Sequence, residues 1–197
     1  MIPDKNDCLV LLKKYAPNDE YYELVKIHGE IVYEIAEEIA SRIDTEVNMP
    51  ILQASCLLHD IGSYVFLGAR NFSKDFARCY PGHAIFGAKI LQDEGLDDRI
   101  WQAIETHVLQ GIAARKVQNT SFALPEKDYI PRTIEAKLLC YADRFHSKHP
   151  VFNDFDDFIK RLEKRLPNQA QKLKEWSEDF GIPDVQTLSK KHGHPIR

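Results

Sequence analysis

The sequence lacks the features that mark membrane-spanning, secreted and nucleic-acid-binding proteins. It contains no run of about 18 apolar residues, so we expect no membrane-spanning helix and no membrane partner. The first seven residues contain no apolar signal-peptide core, which favours a cytoplasmic location. The net charge of −4 offers no basic surface field of the kind that attracts phosphate backbones. We therefore expect no nucleic-acid partner.

Metal-binding cysteine motifs, repeats and strand patterns are also missing. The chain has four cysteines, and none of them forms a Cys-x-x-Cys pair, which argues against a purely structural zinc knot. Cys56 and Cys140 fall within apolar helical patterns, where a small buried thiol is expected. No internal repeat and no convincing strand pattern is present. The sequence therefore predicts an all-α fold, long enough at 197 residues to bury a sizeable core.

What the sequence does contain is a series of apolar patterns with helical spacing. They predict helices over residues 8–15, 19–43, 51–61, 83–95, 98–107 and 134–145, and an amphipathic helix that runs from 155 past Pro167 to 176. Residues 62–82 and 110–127 are predicted to be irregular. We expect one domain over residues 1–150. Residues 151–197 should form a helical extension with a mobile tail, packed on the same domain.

Polar, ionisable residues recur on the apolar faces of these predicted helices. Four histidines and two aspartates are placed there, namely His28, His59, Asp60, His83, His107 and Asp143. A single histidine on such a face is usually a core residue hydrogen-bonded to a carbonyl. A whole set of buried, unpaired ionisable groups would instead cost several kcal/mol for each group. Convergence on a divalent metal removes this cost, because carboxylates and neutral imidazoles are good metal ligands.

The order His28…His59-Asp60…Asp143 resembles the HD domain superfamily of metal-dependent phosphohydrolases, over about residues 20–147. This resemblance implies an all-α HD-domain helical bundle with a C-terminal amphipathic appendage. His83 and His107 resemble the two-metal branch, which includes HD-GYP phosphodiesterases, symmetrical dinucleoside-tetraphosphate hydrolases and a few mixed-valent di-iron oxygenases. Residues 124–143 are similar to small stand-alone HD proteins.

The resemblance implies a ligand set and a cofactor. The first metal would be bound by His28, His59, Asp60 and Asp143, and Asp60 would bridge to a second metal completed by His83 and His107. The cofactor would be a divalent transition metal, with two ions drawn from Fe, Mn, Zn, Ni or Mg. Ser63 stands where many relatives have a lysine, which puts a phosphate contact from that position in doubt. No Gly-Tyr-Pro signature follows, so cyclic di-guanylate hydrolysis is not expected.

The implied reaction is hydrolysis of a nucleotide or another small phosphate ester, as a phosphomonoesterase, phosphodiesterase or pyrophosphohydrolase. Two ions about 3.5–4 Å apart can supply hydroxide at neutral pH for attack on phosphorus. Asp60, His83 and His107 are the expected catalytic residues. If only the first ion binds, the two histidines would instead donate hydrogen bonds to the phosphate.

Substrate binding should come from the irregular segments, because loops usually carry binding residues. The candidate cations are Arg70, Lys74, Arg78, Arg115 and Lys116, and the aromatic rings that could stack on a base are Tyr64, Phe66 and Tyr80. The alternative for each is an ordinary solvated charge or a loop anchor. The residues that flank Asp143, namely Arg144, His146, Lys148 and His149, are interpreted as rim residues.

Two other functions stay open at this point. The same ligand set would suit a di-iron oxygenase of the HD type, or a non-catalytic module that senses a metal or a nucleotide. The native metal, the phosphate that is cleaved and the oligomeric state, with a homodimer as one alternative, are not decided by the sequence.

Overall fold

The computed structural model describes residues 1–67, 78–108, 111–117 and 123–197, without the side chains of Leu67, Arg115 and Lys116. Within these ranges the chain forms a helical bundle, and its one named sheet has two strands. This confirms the all-α prediction. None of the helices in the described part of the chain is both long and apolar enough to cross a membrane.

Helices account for most of the described part of the chain. In chain order they are α1 (Lys5–Tyr15), α2 (Asp19–Ala40), α3 (Met49–Leu58), α4 (Tyr64–Leu67), α5 (His83–Asp93), α6 (Asp98–Thr106), α7 (Ala114–Val117), α8 (Ile134–Ala142), α9 (Phe155–Glu163), α10 (Pro167–Phe180) and α11 (Val185–His192). Short 3₁₀ helices span Ile61–Ser63, Tyr80–Gly82 and Asp143–Phe145. Strands β1 (His146–Ser147) and β2 (Val151–Phe152) pair in antiparallel fashion.

The core is built around α3, which packs against α1, α2, α6 and α8. Residues 54–58 of α3 are all buried, as expected for a helix that is apolar on every side. Helix α8 is buried at every residue from Leu138 to Ala142, so more than one of its faces is covered. Helix α2 buries one stripe from Val25 to Ile39, at the predicted spacing. These three helices pack against one another.

Side-chain caps set the beginnings of the core helices. The Asn18 side chain accepts from the backbone N–H of Tyr21 at the start of α2, at 2.9 Å. Thr133 caps α8 in the same way, accepting from Ala136 at 3.2 Å. Such caps satisfy backbone donors that the first turn leaves without a partner. They fix where each of these helices begins.

The prediction of one amphipathic helix through Pro167 was wrong in detail. Helix α9 ends at Glu163, and Pro167 is the first residue of a separate helix, α10. Proline has no backbone N–H to donate inside a helix, but this costs nothing in the first turn. The two helices pack against each other, so the C-terminal appendage is a helical pair followed by α11.

Residues 195–197 lie beside β2. The backbone N–H of Phe152 donates to Pro195 O at 2.8 Å, and Arg197 N–H donates to Phe152 O at 3.0 Å. Phe152 and Ile196 form a parallel bridge. The sequence indicated no strand here, because such short pairings leave no alternating pattern. The boundary at residue 150 and a mobile tail stay predictions.

Gly62 brings the segment after α3 into direct contact with α5. A Cβ atom at this position would overlap the backbone atoms His83 O and Gly87 N, which cannot move aside as a flexible side chain can. Gly62→Ala should therefore reduce the free energy of unfolding by about 3 kcal/mol, and the melting temperature by about 6–12 °C.

Gly82→Ala is the matched control for this change. Its Cβ would meet only Phe66 Cζ at 3.8 Å and Phe86 Cε2 at 3.9 Å, which are ordinary contacts. The melting temperatures of both variants and of the wild type would be measured by thermal unfolding and compared. Equal melting temperatures for the two variants would contradict this account of the Gly62 contact.

Candidate metal centre

All six of the predicted ligands meet at one end of the bundle. Most of them stand where a helix begins or ends. His28 is the exception, because it comes from the middle of a helix. The side chains are His28 in α2, His59 and Asp60 directly after α3, His83 at the start of α5, His107 directly after α6 and Asp143 directly after α8. Each histidine and Asp60 is at most 4% exposed.

One group of donor atoms surrounds the Nε2 atoms of His28 and His59. These two nitrogens lie 3.2 Å apart. Asp143 Oδ1 is 3.2 Å from His28 Nε2 and 3.4 Å from His59 Nε2. Asp60 Oδ2 is 3.4 Å from the first nitrogen and 3.3 Å from the second. Two imidazoles and two carboxylates therefore face one another.

A second group shares Asp60 with the first. His83 Nε2 lies 3.1 Å from Asp60 Oδ1, and 3.0 Å from His107 Nε2. One ligand atom of each of Asp60, His83 and His107 falls within 4.8 Å of the others, and the same is true of His28, His59 and Asp60. Asp60 thus directs one oxygen at each group.

The ring orientation of three histidines is set by local carbonyl groups. Each Nδ1 lies close to the carbonyl of the residue three positions earlier, namely His59 to Cys56 O at 2.8 Å, His83 to Tyr80 O at 2.6 Å and His107 to Ile104 O at 2.6 Å. A carbonyl oxygen only accepts, so each Nδ1 carries the proton. In the neutral ring, Nε2 then presents a lone pair to the centre of the cluster.

These residues fit a divalent metal. The lone pairs of His83 and His107 face each other at 3.0 Å, an arrangement that is repulsive between two acceptors and favourable around a cation. Asp60 Oδ1 is buried and accepts no hydrogen bond from any described residue. Neutral imidazole nitrogens and carboxylate oxygens are the ligands that Zn, Mn, Fe and Ni accept. The geometry is compatible with metal binding and leaves the identity and number of the ions open.

Burial and charge place these groups in the protonation state that metal ligands need. Burial lowers the pKa of His28 and of His107 well below the ordinary value, and it lowers the pKa of His83 as well. Burial alone would raise the pKa of Asp60, but the Lys148 ammonium and the His59 ring outweigh it, so this pKa lies well below its usual range. At neutral pH the imidazoles of His28, His83 and His107 are therefore neutral, and Asp60 is ionised.

The structure reveals cations in the site that the sequence interpretation left at the rim. The Lys148 ammonium pairs with Asp60 Oδ2 and lies 5.4 Å from the centroid of the Tyr80 ring. Arg144 pairs with Asp143. The sequence offered one sign that these two cations could reach the site, namely that both lie close to Asp143 along the chain. Periodicity could not show that the turn after α8 directs Lys148 inward.

The predicted substrate-binding cations are not tested by this geometry. Arg78 is described and exposed. Arg70 and Lys74 lie outside the described residues, as do the side chains of Arg115 and Lys116. Of the three aromatic rings, Tyr64 is only 7% exposed and belongs to the core, whereas Phe66 and Tyr80 are half-buried.

Comparison with known proteins agrees with this fold and site. The family model described as "HD domain" matches residues 25–148. The chain belongs to the HD domain family. It is 33% identical over 148 residues to an uncharacterised protein of Methanocaldococcus jannaschii, a match that covers 74% of this chain and 77% of that protein.

Two further relatives carry the name tRNA (cytidine(56)-2'-O)-methyltransferase. The protein of Picrophilus torridus is 34% identical over 179 residues, covering 91% of this chain and 47% of that protein. The protein of Thermoplasma volcanium is 35% identical over 143 residues, covering 73% of this chain and 36% of that protein. The chain therefore spans less than half the length of these two curated relatives.

Solved HD domains share the fold. The HD domain of the L. monocytogenes phosphodiesterase PgpH in complex with cyclic-di-AMP has a TM-score of 0.54 at 17% identity, covering 96% of this chain and 99% of that one. A second structure of the same domain has a TM-score of 0.52 at 17% identity, covering 90% of each chain. These likenesses confirm the HD helical architecture.

Chelator-treated protein should lose stability as the pH falls below about 6.5. The folded state holds the pKa values of His28, His83 and His107 below the ordinary value, while the unfolded chain regains a pKa of about 6.5. The unfolded state then binds protons that the folded state does not, and each such histidine removes about 1.4 kcal/mol per pH unit. Urea unfolding between about pH 7.5 and 5.5 would measure the slope.

The exposed His149 provides the control for this titration. His149→Ala should keep the wild-type slope, because it leaves all of the buried imidazoles in place. A free energy of unfolding that stays constant across this pH range would show that the buried imidazoles do not impose the expected penalty.

Proposed function

We propose that this protein is a metal-dependent phosphohydrolase that acts on a nucleotide or another small phosphate ester. The observation that carries the proposal is Asp60, whose two carboxylate oxygens face two separate groups of imidazole nitrogens. A carboxylate in this position can bridge two ions. Membership of the HD domain family and the phosphodiesterase fold likeness support the same class of reaction.

The proposed ligand set is the predicted one. His28, His59, Asp143 and Asp60 Oδ2 would hold one ion, and His83, His107 and Asp60 Oδ1 would hold the other. Divalent ions bound in this way activate water at neutral pH and neutralise phosphoryl oxygens. The protein holds the ligand rings in one orientation through the carbonyl contacts of His59, His83 and His107. Asp60, His83 and His107 are the proposed catalytic residues.

A row of aromatic rings supports a substrate that carries a nucleobase. The Tyr80 ring lies 4.6 Å from the ring of His83. Phe66 follows at 5.8 Å from Tyr80, and Phe86 at 5.7 Å from Phe66, all measured between centroids. Phe86 is 47% exposed, so the row leads from the proposed ligands to the surface. Bases stack on such rings with little dependence on their identity.

The relatives suggest which substrates to test. The PgpH domain binds cyclic-di-AMP, a nucleotide with phosphodiester bonds. The named methyltransferases act on tRNA, but the match covers less than half of each, so we do not propose methyl transfer for this chain. A short RNA with terminal phosphates belongs in the substrate panel for this reason, even though the net charge of −4 predicted no nucleic-acid partner.

Hydrolysis of a nucleotide panel in the presence of Mn²⁺ or Fe²⁺ should be measurable, and Asp60→Asn should abolish it. The panel contains nucleoside mono-, di- and triphosphates, cyclic-di-AMP and the short RNA, and the readout is released phosphate or separated product. Loss of the shared carboxylate should reduce the rate by more than about 100-fold. Removing even a residue that only hydrogen-bonds to a metal ligand lowers metal affinity or activity by about 10–100-fold.

The exposed Asp44 allows a matched control, since Asp44→Asn should leave the rate unchanged. If no metal supports phosphate release and the iron-loaded protein consumes oxygen with an organic substrate, the oxygenase alternative replaces this proposal. Tight metal or nucleotide binding with neither activity would instead identify a sensing module.

Lys148 is the described cation closest to the shared carboxylate. We propose that it also binds the phosphate group of the substrate. Lys148→Met should raise the KM for a phosphorylated substrate by about 10-fold or more, since hydrogen bonds to charged groups contribute about 1.5–3 kcal/mol. Metal affinity should stay equal or increase, because the ammonium competes with a metal ion for Asp60 Oδ2. Steady-state kinetics and metal titration would be compared with Lys164→Met, which changes an exposed lysine. A weakened metal affinity with unchanged KM would contradict the assignment.

A further inference from the structure

His28 has a partner behind it, on the side away from the other proposed ligands. Its Nδ1 lies 2.9 Å from Nδ1 of His146, the first residue of β1, which is 3% exposed. His146 Nε2 in turn lies 3.0 Å from Nδ1 of His194, near the end of the described chain. Three histidines from distant parts of the sequence therefore form a continuous hydrogen-bonded row.

Backbone pairing holds this row in place. Phe152 pairs with His146 across the two-stranded sheet, and its other edge hydrogen-bonds to Pro195 and Arg197. The Phe152 ring packs against His146, with ring centroids 4.8 Å apart. The Ser189 hydroxyl donates to His194 O at 2.6 Å. His194 is thus fixed on both sides by contacts that do not involve the metal centre.

The direction of the hydrogen bonds follows from the ligand role of His28. Its Nε2 faces the carboxylates Asp60 and Asp143, so a metal-binding ring would keep its lone pair there and carry its proton on Nδ1. This proton is donated to Nδ1 of His146. His146 must then carry its own proton on Nε2 and donate it to His194. One tautomer of each ring satisfies the whole row.

His28 needs this partner because it lies in the middle of a helix. His59, His83 and His107 stand at helix ends and donate to a carbonyl three residues earlier. In the middle of α2 the nearby carbonyls are occupied by the helical hydrogen bonds. A group from elsewhere in the chain has to accept the proton of His28.

We propose that His146 is the positioning residue for His28, and that His194 positions His146, so that residues 194–197 form part of the metal centre. The inference rests on the proposed function, since it takes His28 as a metal ligand. A partner that accepts the Nδ1 proton fixes the ring of a metal-bound histidine and raises its basicity. The C-terminal extension would therefore contribute to metal affinity without contacting the metal.

The test is a titration of tag-free protein with Mn²⁺ or Co²⁺ against a chelating dye. Leucine and asparagine have side chains with the same number and branching of heavy atoms, but only in His146→Asn does the new residue offer an acceptor oxygen near the position of Nδ1; His146→Leu offers none. We expect the leucine variant to bind about 10–100-fold more weakly, and the asparagine variant to recover most of this loss. His194→Ala should weaken binding less than His146→Leu does. His149→Ala, an exposed histidine nearby, should bind as the wild type does.

A second readout separates positioning from packing. The visible absorption of bound Co²⁺ reports the ligand geometry, and at saturating metal it should shift in the leucine variant and return in the asparagine variant. Equal weakening by leucine and asparagine would mean that packing alone matters and would overturn the inference. Unchanged affinity in His194→Ala would overturn the role of residues 194–197. A wild-type protein that binds no divalent metal would refute the proposed function itself, whereas wild-type binding with unaffected His146 variants would refute only this inference.

Discussion

The structure depends on keeping an ionised carboxylate, Asp60, in an interior from which water is largely excluded. Desolvating such a group costs several kcal/mol unless cations or hydrogen-bond donors replace the water. The protein brings Lys148 to one of its oxygens. The lone pairs of histidine nitrogens face both oxygens, so a bound cation would have to supply the remaining compensation. The helices that meet here therefore have to end at defined residues, since a shift of one position would turn a ligand away from Asp60.

The apolar core determines this arrangement. Helix α3 is fully buried over its last five residues, 54–58, and His59 and Asp60 follow directly. The close approach of Gly62 to the backbone of α5 then places His83 within reach of Asp60. Both contacts are between backbone or core atoms, which yield little in a closely packed interior. The arrangement of the candidate metal centre therefore follows from how α3 packs against its neighbours.

The C-terminal extension has a closer relation to this centre than its amphipathic pattern indicates. Helices α9 and α10 pack as a pair, while residues 195–197 return to β2 and bring His194 beside His146. HD domains share a helical bundle, and in our proposal His194, which lies outside the family match at 25–148, supports His28 through His146. A fold that is common to many proteins can differ in such outer contacts while the donor set is kept.

The sequence by itself determined the helical class, the spacing of the core positions and the six ionisable residues that meet at the candidate site, because periodicity and residue type are local properties. It also indicated the family through the order of its histidines and aspartates. It did not predict the break before Pro167, since the apolar pattern continues across it. Only the tertiary structure decided which Asp60 oxygen faces which histidines, that Lys148 reaches Asp60 across 88 positions, and that His28 meets His146 across 118 positions. Contacts between such distant residues depend on how whole helices pack, and no local pattern in the chain records that packing.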